Sequence, residues 1–265
     1  MNLDKNWIKN AVLAAKEASA AIMKIYAAGF EVDYKADDSP VTIADKTSSG
    51  IIVSKLKNTG IPVISEEEEI PSFEEREKNE YVWIVDPLDG TKEFIAKNGE
   101  FCICIALVYQ TKPIFGLIAS PTNQTILLGG PSMGAYYFDF STSNYLNEAY
   151  KVKPLVIPKL KTVAYSRSHF SERAMEFIDS ITEKYGVPNY IKKGSALKFI
   201  DLTLGKADFY PRLAPTMEWD IAAGQAIYES VGGEVLDFIN FEPLRYNKEN
   251  LYNPFFIAKN KDLTI

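Results

Sequence analysis

Two different rhythms of secondary structure follow one another along this chain, and few folds accommodate both. Trp7, Ala11, Ala15, Ala18, Ile22 and Tyr26 recur at helical spacing, with Gly29 as a stop. After a polar stretch from Glu31 to Pro40, Thr42 is placed to cap a second helix running to about Asn58, which Gly60 ends. Short apolar runs then replace the helical period: Ile61 to Ser65, Tyr81 to Val85, Phe101 to Tyr109, Pro113 to Ala119, Thr125 to Leu128 and Ala135 to Phe138. Gly, Pro and Asn turns separate most of them, so they read as a meander of strands. The interval Glu66 to Glu80 is acidic, holds Pro71 and reads as a surface loop. Past the polar, proline-bearing segment Phe140 to Pro158 the rhythm changes. Strands at Thr162–Tyr165, Tyr190–Lys192, Ala207–Pro211, Glu234–Asp237 and Phe255–Ala258 enclose helices at Ser171–Tyr185, Ser195–Leu204 and Trp219–Val231. The expectation is an α/β protein, with an α+β half over residues 1–150 and an α/β half over residues 151–265.

Composition removes several chemistries. Two Cys and one His leave at most three soft or borderline metal ligands. A closed Cys/His zinc site and an H-E-x-x-H protease site are excluded, so any metal must be held mostly by oxygen, as magnesium, manganese or calcium are. Cys102 and Cys104 would share one strand face as core residues of a reducing compartment. The first apolar residues are interrupted at Lys16, Glu17 and Lys24 and do not read as a signal segment; Phe101 to Tyr109 is too short to span a bilayer. A cytoplasmic protein with no integral membrane segment is expected. A net charge of −6 disfavours nucleic acid as a partner but leaves room for a small phosphorylated ligand in a locally cationic cleft.

The strongest chemical feature is Asp86-Pro-Leu-Asp-Gly-Thr91, where a hydrophobic strand ends in a carboxylate and a second carboxylate follows a Pro-led turn. Gly90 and Thr91 then offer backbone N–H groups suited to an anion, and paired carboxylates beside an anion call for a cation between them. Alone, such a run is also an ordinary Asp/Gly turn. Glu66 ends the neighbouring strand, although a Glu run is commonly a solvated loop. Asp220 opens a downstream helix, where a cap or dipole partner is the ordinary role.

Taken together these segments resemble the inositol monophosphatase superfamily of magnesium-dependent, lithium-sensitive phosphatases. The resemblance rests on Asp86–Thr91 paired with Trp219-Asp-Ile-Ala-Ala-Gly224, on Val63-Ile-Ser-Glu-Glu67 and on Ser39-Pro-Val-Thr-Ile-Ala-Asp45. It implies a layered αβαβα sandwich. Thr91-Lys-Glu-Phe94, Asn98-Gly-Glu-Phe101, Ser166-Arg-Ser-His169, Gly194-Ser-Ala-Leu-Lys-Phe199 and Tyr210-Pro-Arg212 look like the 3′(2′),5′-bisphosphate nucleotidase branch. By resemblance, Glu66, Asp86, Asp89, Asp220 and the Leu88 carbonyl hold two or three Mg²⁺ ions, and inhibition by Li⁺ is expected. Asp45 and Thr91 would orient and help deprotonate the attacking water alongside Glu66, although Asp45 also suits a capping partner of Thr42. Most metal ligands would then come from the first half, and Asp220 and the nucleotide pocket from the second.

The substrate side would comprise Asp89, Gly90, Thr91, His169, Ser195, Lys198 and Arg212. Lys198 and Arg212 would take a second phosphate, and His169 would line the adenosine pocket, although a lone His there equally suits a cap or the surface. Ala196 departs from the branch, where a second Ser is common. The implied reaction is removal of the 3′-phosphate of adenosine 3′,5′-bisphosphate to give AMP, linked to sulfate assimilation. An inositol or sugar phosphatase on the same scaffold is the alternative. A haloacid-dehalogenase-type phosphatase would place its two Asp one residue apart, unlike Asp86 and Asp89, and a non-catalytic binding regulator would not need both Thr91 and Asp45.

Overall fold

The run at residues 102–109 shows no polar alternation because both of its faces are covered. A computed structural model describes residues 3–35, 39–156, 161–168 and 172–263. In chain order the elements are α1 (Lys5–Ala28), β1 (Val32–Tyr34), β2 (Pro40–Thr42), α2 (Ile43–Lys57), β3 (Val63–Ser65), α3 (Phe73–Arg76), β4 (Tyr81–Asp89), α4 (Thr91–Ile95), β5 (Cys102–Tyr109), β6 (Lys112–Ser120), β7 (Thr125–Gly130) and β8 (Gly134–Asp139). Then follow β9 (Thr162–Ser166), α5 (Glu172–Tyr185), β10 (Asn189–Lys193), α6 (Leu197–Thr203), β11 (Phe209–Arg212), α7 (Glu218–Glu229), β12 (Gly233–Asp237) and β13 (Phe256–Asn260).

A six-stranded sheet runs β3-β4-β5-β6-β7-β8, parallel only between β3 and β4. A five-stranded sheet runs β10-β9-β11-β13-β12, with its first three strands parallel. Ala11, Ala15, Ala18 and Ile22 of α1, with Ile52 and Leu56 of α2, cover one face of the larger sheet at Trp83, Ile103, Ile105 and Leu117. On its other face Val82, Ile84, Cys102, Cys104 and Ala106 meet Phe199, Leu202, Ala222 and Ile227 of α6 and α7, which also pack on Tyr210, Val235 and Phe256 of the smaller sheet. Ile178 and Ile181 of α5 close the far side over Val163, Phe209 and Ile257. The result is the expected αβαβα sandwich, with α6 and α7 in the middle layer.

The close seating of α7 depends on glycine. A Cβ on Gly116 of β6 would lie 2.1 Å from the Ala223 carbonyl oxygen, so any side chain there would push the helix off the sheet.

Local differences from the sequence reading have clear causes. The strand at residue 81 does not stop at Asp86 but continues to Asp89 through an irregularity. The polar stretch before Thr42 holds a small hairpin of β1 and β2, too short to show a period. The acidic interval is not wholly surface: Arg76 of α3 is buried and donates to Asn247 Oδ1 and to the carbonyls of Pro71, Lys248 and Glu249. The helix expected from Ser195 starts at Leu197, because Ser195 adopts φ +50°, outside helical space.

Candidate active site

Two carboxylates three residues apart on a regular strand point to opposite faces. Here a register shift between them inserts one extra residue, so Asp86 pairs with Cys104 and Asp89 with Cys102. Cys102 and Cys104 both face the α7 layer, and the two carboxylates therefore do as well. Leu88, displaced by the same shift, packs instead with the α1/α2 layer. The turn is pinned by Ser48 Oγ donating to the Pro87 carbonyl at 2.6 Å and by the Leu88 N–H donating to Asp86 Oδ1 at 3.0 Å. Gly90 follows at φ +96°, where a side chain would be strained and would crowd Ser195.

From the facing layer α7 presents Asp220 in its first turn. Asp220 Oδ2 accepts the Met217 N–H at 2.9 Å, so the capping role is real and leaves the other oxygen available. Carboxylate oxygens of Asp86, Asp89 and Asp220 lie within 4.8 Å of one another. Glu66, just past β3, lines the same cleft and takes an ammonium bond from Lys35 at 2.8 Å. Lys35 also holds Glu67 at 2.6 Å, a contact with no signature in the residue pattern.

The electrostatics of this group are unfavourable as it stands. Burial, then repulsion from Glu66, Asp89 and Asp220, pushes the Asp86 carboxyl well above its usual range. Burial, then Asp89 and Glu66, does the same to Asp220. Burial also raises Asp89 and Glu66, opposed respectively by Lys198 and by Lys35. A buried, oxygen-rich set whose members resist ionisation fits a hard divalent cation. The buried thiols Cys102 and Cys104 lie beside Asp89, with Cys102 Sγ 3.7 Å from its Oδ2.

Asp45 carries two roles at once. Its Oδ2 accepts from the Thr42 N–H at 2.8 Å and the Thr42 hydroxyl at 2.7 Å, completing a capping box on α2. Its Oδ1 accepts the Thr91 hydroxyl at 2.9 Å. Thr91 opens α4 immediately after Gly90.

A cleft of about 300 Å³ joins these residues to the second half of the chain. Glu66, Asp89, Gly90, Thr91 and Asp220 line it together with Ser195, Lys198 and Arg212. Both cations are buried. Lys198 Nζ donates to the Ser195 carbonyl at 2.5 Å and the Lys193 carbonyl at 3.2 Å, and burial followed by Arg212 lowers its pKa to about 8. Lys193 is paired with Asp201 at 2.6 Å, whereas Lys92 lines the cleft. At Ala196 the backbone acts: its N–H donates to Asp89 Oδ2, a contact independent of the side chain. His169 lies outside the described residues. Tyr210 and Trp219 also line the cleft; they sit inside the motifs quoted above, although no role was read for them.

Residues 4–253 match the inositol monophosphatase family. The chain belongs to that family. Members depend on metal ions, and the acidic cluster described above is of that kind. The chain is 35% identical over 250 residues to the 3′(2′),5′-bisphosphate nucleotidase CysQ of Salmonella typhimurium, covering 91% of this chain and 95% of that protein. It is 36% identical over 247 residues to the CysQ of Escherichia coli K12, with the same coverage. The crystal structure of CysQ from Bacteroides thetaiotaomicron, a bacterial member of the inositol monophosphatase family, superposes with a TM-score of 0.85 at 39% identity, covering 96% of each chain. Among the described residues no helix is long and apolar enough to cross a membrane.

Proposed function

We propose that this inositol monophosphatase family protein removes the 3′-phosphate of adenosine 3′,5′-bisphosphate, giving AMP and inorganic phosphate. One observation carries the substrate reading. The cleft holds two groups that suit phosphate, the carboxylates with the Gly90–Thr91 amides and the buried cations Lys198 and Arg212 with Ser195. A bisphosphorylated nucleotide can set one phosphate at each group, whereas a substrate with a single phosphate uses only the first. The names of the CysQ relatives agree with that choice.

Glu66, Asp86, Asp89, Asp220 and the Leu88 carbonyl would hold the metal, two or three Mg²⁺ ions in this reading, with Li⁺ as an inhibitor. Bound there, the ions supply positive charge to the phosphate oxygens and acidify water. The chain's own part begins at Thr91. Its hydroxyl donates to Asp45 Oδ1 at 2.9 Å, nearer than the Leu88 carbonyl at 3.4 Å, so its oxygen would face a water as an acceptor. As the water attacks phosphorus, its proton passes to Thr91 Oγ1 while the threonine proton passes to Asp45. Asp45 stays oriented through the Thr42 N–H and hydroxyl. In this reading Arg212 grips the second phosphate as a fork and Lys198 as a point charge. The reading includes a reducing, cytoplasmic setting, where the free buried thiols Cys102 and Cys104 belong.

Phosphorus NMR of adenosine 3′,5′-bisphosphate incubated with the protein and Mg²⁺ tests the assignment. AMP bearing its 5′-phosphate should accumulate with inorganic phosphate. Accumulation of the 3′-monophosphate would mean that the two groups are reversed, and an unchanged spectrum would remove the nucleotidase reading.

A further inference from the structure

We infer that Glu100 and Arg167 are positioning residues that set selectivity for a substrate with a second phosphate, by holding the turn at residues 193–196 from outside the cleft. The inference rests on the nucleotidase reading for the identity of that phosphate. Neither residue lines the cleft, so neither touches substrate there. The Arg167 guanidinium makes a two-pronged bond to Glu100, Nε to Oε2 and Nη2 to Oε1, both at 2.7 Å. Glu100 Oε2 also accepts the Gly194 N–H at 2.7 Å. Arg167 gives its own N–H to the Lys193 carbonyl at 3.1 Å and Nη2 to the Lys192 carbonyl at 3.3 Å. The Arg167 pair first, and then the Gly194 N–H, hold the Glu100 carboxyl below its usual range.

Glu93 adds a backstop. It accepts the Ser168 hydroxyl at 2.5 Å, and its Cγ lies 2.6 Å from where a Cβ on Gly194 would be. Gly194 is therefore clasped between Glu93 and Glu100.

From inside the cleft the same turn is held by Lys198 on the Lys193 and Ser195 carbonyls and by Asp89 on the Ala196 N–H. Between the two sets of bonds Ser195 sits at φ +50°, a conformation that a serine leaves when released. Residues from four of the short runs singled out above thus interlock in space, Glu93 receiving a bond from Ser168 and Glu100 from Arg167 and Gly194. Loss of the outer bonds frees Ser195 to relax, and the carbonyls that orient the Lys198 ammonium move with it. The cost falls mainly on the second phosphate, because Asp89, bonded to Ala196, also keeps its strand pairing with Cys102.

The test uses Glu100→Gln and Arg167→Ala in the full chain with Mg²⁺. kcat and KM are measured for adenosine 3′,5′-bisphosphate and for adenosine 3′-monophosphate, which lacks the second phosphate. Either variant should lower the preference for the bisphosphate about tenfold, ~1.4 kcal/mol, through KM, and change the monophosphate parameters far less. Arg167→Lys, which keeps the charge and loses the fork, should fall between wild type and Arg167→Ala. A wild-type preference that persists in the variants overturns the positioning role alone, as does an equal loss on both substrates. A wild type with no preference overturns the nucleotidase reading together with this one. Amide exchange provides a second readout: Gly194 to Ala196 should exchange faster in Glu100→Gln while other segments keep their rates, and unchanged exchange at these amides contradicts the role.

Discussion

Replacing Asp45 by Asn separates the two jobs of that carboxylate. An amide oxygen can still accept from the Thr42 N–H and hydroxyl, so the capping box survives in large part. The amide nitrogen then faces Thr91 Oγ1, where the carboxylate accepted at 2.9 Å, and can only donate. Thr91 must turn its proton into the cleft and becomes a donor to water. Losing a positioned base costs about 10²–10⁴-fold, or about 3–5 kcal/mol on the barrier. The cap accounts for no more than about 1 kcal/mol of stability, a melting shift of about 2–4 °C for a chain of this size. Steady-state phosphate release at saturating Mg²⁺ and substrate, with thermal melts in parallel, should show a large fall in kcat, a nearly unchanged KM and a folded protein. Thr91→Val should fall similarly, and the double variant no further, since the two groups act as one unit. A kcat within about threefold of wild type in Asp45→Asn, less than 1 kcal/mol on the barrier, would refute the proton path, as would additive losses in the double variant.

Metal binding should release protons, because burial and mutual repulsion raise the Asp86 and Asp220 carboxyls in the free protein; calorimetry with Mg²⁺ in buffers of different ionisation enthalpy should give buffer-dependent heats, with affinity falling as pH is lowered. The same shifts make the folded metal-free chain bind more protons than the unfolded one, so its stability falls as pH rises through the raised pKa values. Melts in EDTA should therefore improve as pH is lowered through the raised range towards ordinary carboxylate values, a trend that saturating Mg²⁺ should suppress. Glu218 is fully buried and accepts the Asn247 N–H at 2.5 Å, the Lys248 N–H at 3.1 Å and the Lys248 ammonium at 2.5 Å. Glu218→Ala should cost about 3 kcal/mol, the low end for a broken buried pair because Lys248 is partly solvated; since Asp220 lies two residues on, the Mg²⁺ concentration for half-maximal activity should rise. Gly116→Ala, which drives a methyl group into the backbone of α7, should destabilise by about 1–3 kcal/mol or more in denaturant melts.

Much of this architecture is legible in the sequence because the burial pattern is strong. The layers follow from runs such as 102–109, and the two capped helices from Thr42 and from the spacing of small apolar residues in α1. The carboxylates were legible as types, not as geometry. A three-residue spacing contradicts a shared strand face, and only the register shift between Asp86 and Asp89 resolves the contradiction. Arg76 carried no signal, being one of two cations in an acidic run, with partners about residue 247. Lys35 was hidden for the same reason, as its bonds to Glu66 and Glu67 join segments with no common period. Glu93 and Glu100 stood inside motifs, but their partners Ser168, Arg167 and Gly194 lie about 70–100 residues on, beyond the reach of local pattern.

The central claim is that the acidic cluster serves metal-dependent hydrolysis of a bisphosphorylated nucleotide. The most direct test is phosphate release by the purified protein with Mg²⁺ on adenosine 3′,5′-bisphosphate, inositol 1-phosphate and fructose 1,6-bisphosphate in parallel, with EDTA and Asp220→Asn controls. The account predicts strong preference for the nucleotide, abolished by EDTA and by the substitution. Preference for either of the other two substrates, or turnover that survives EDTA, would contradict it.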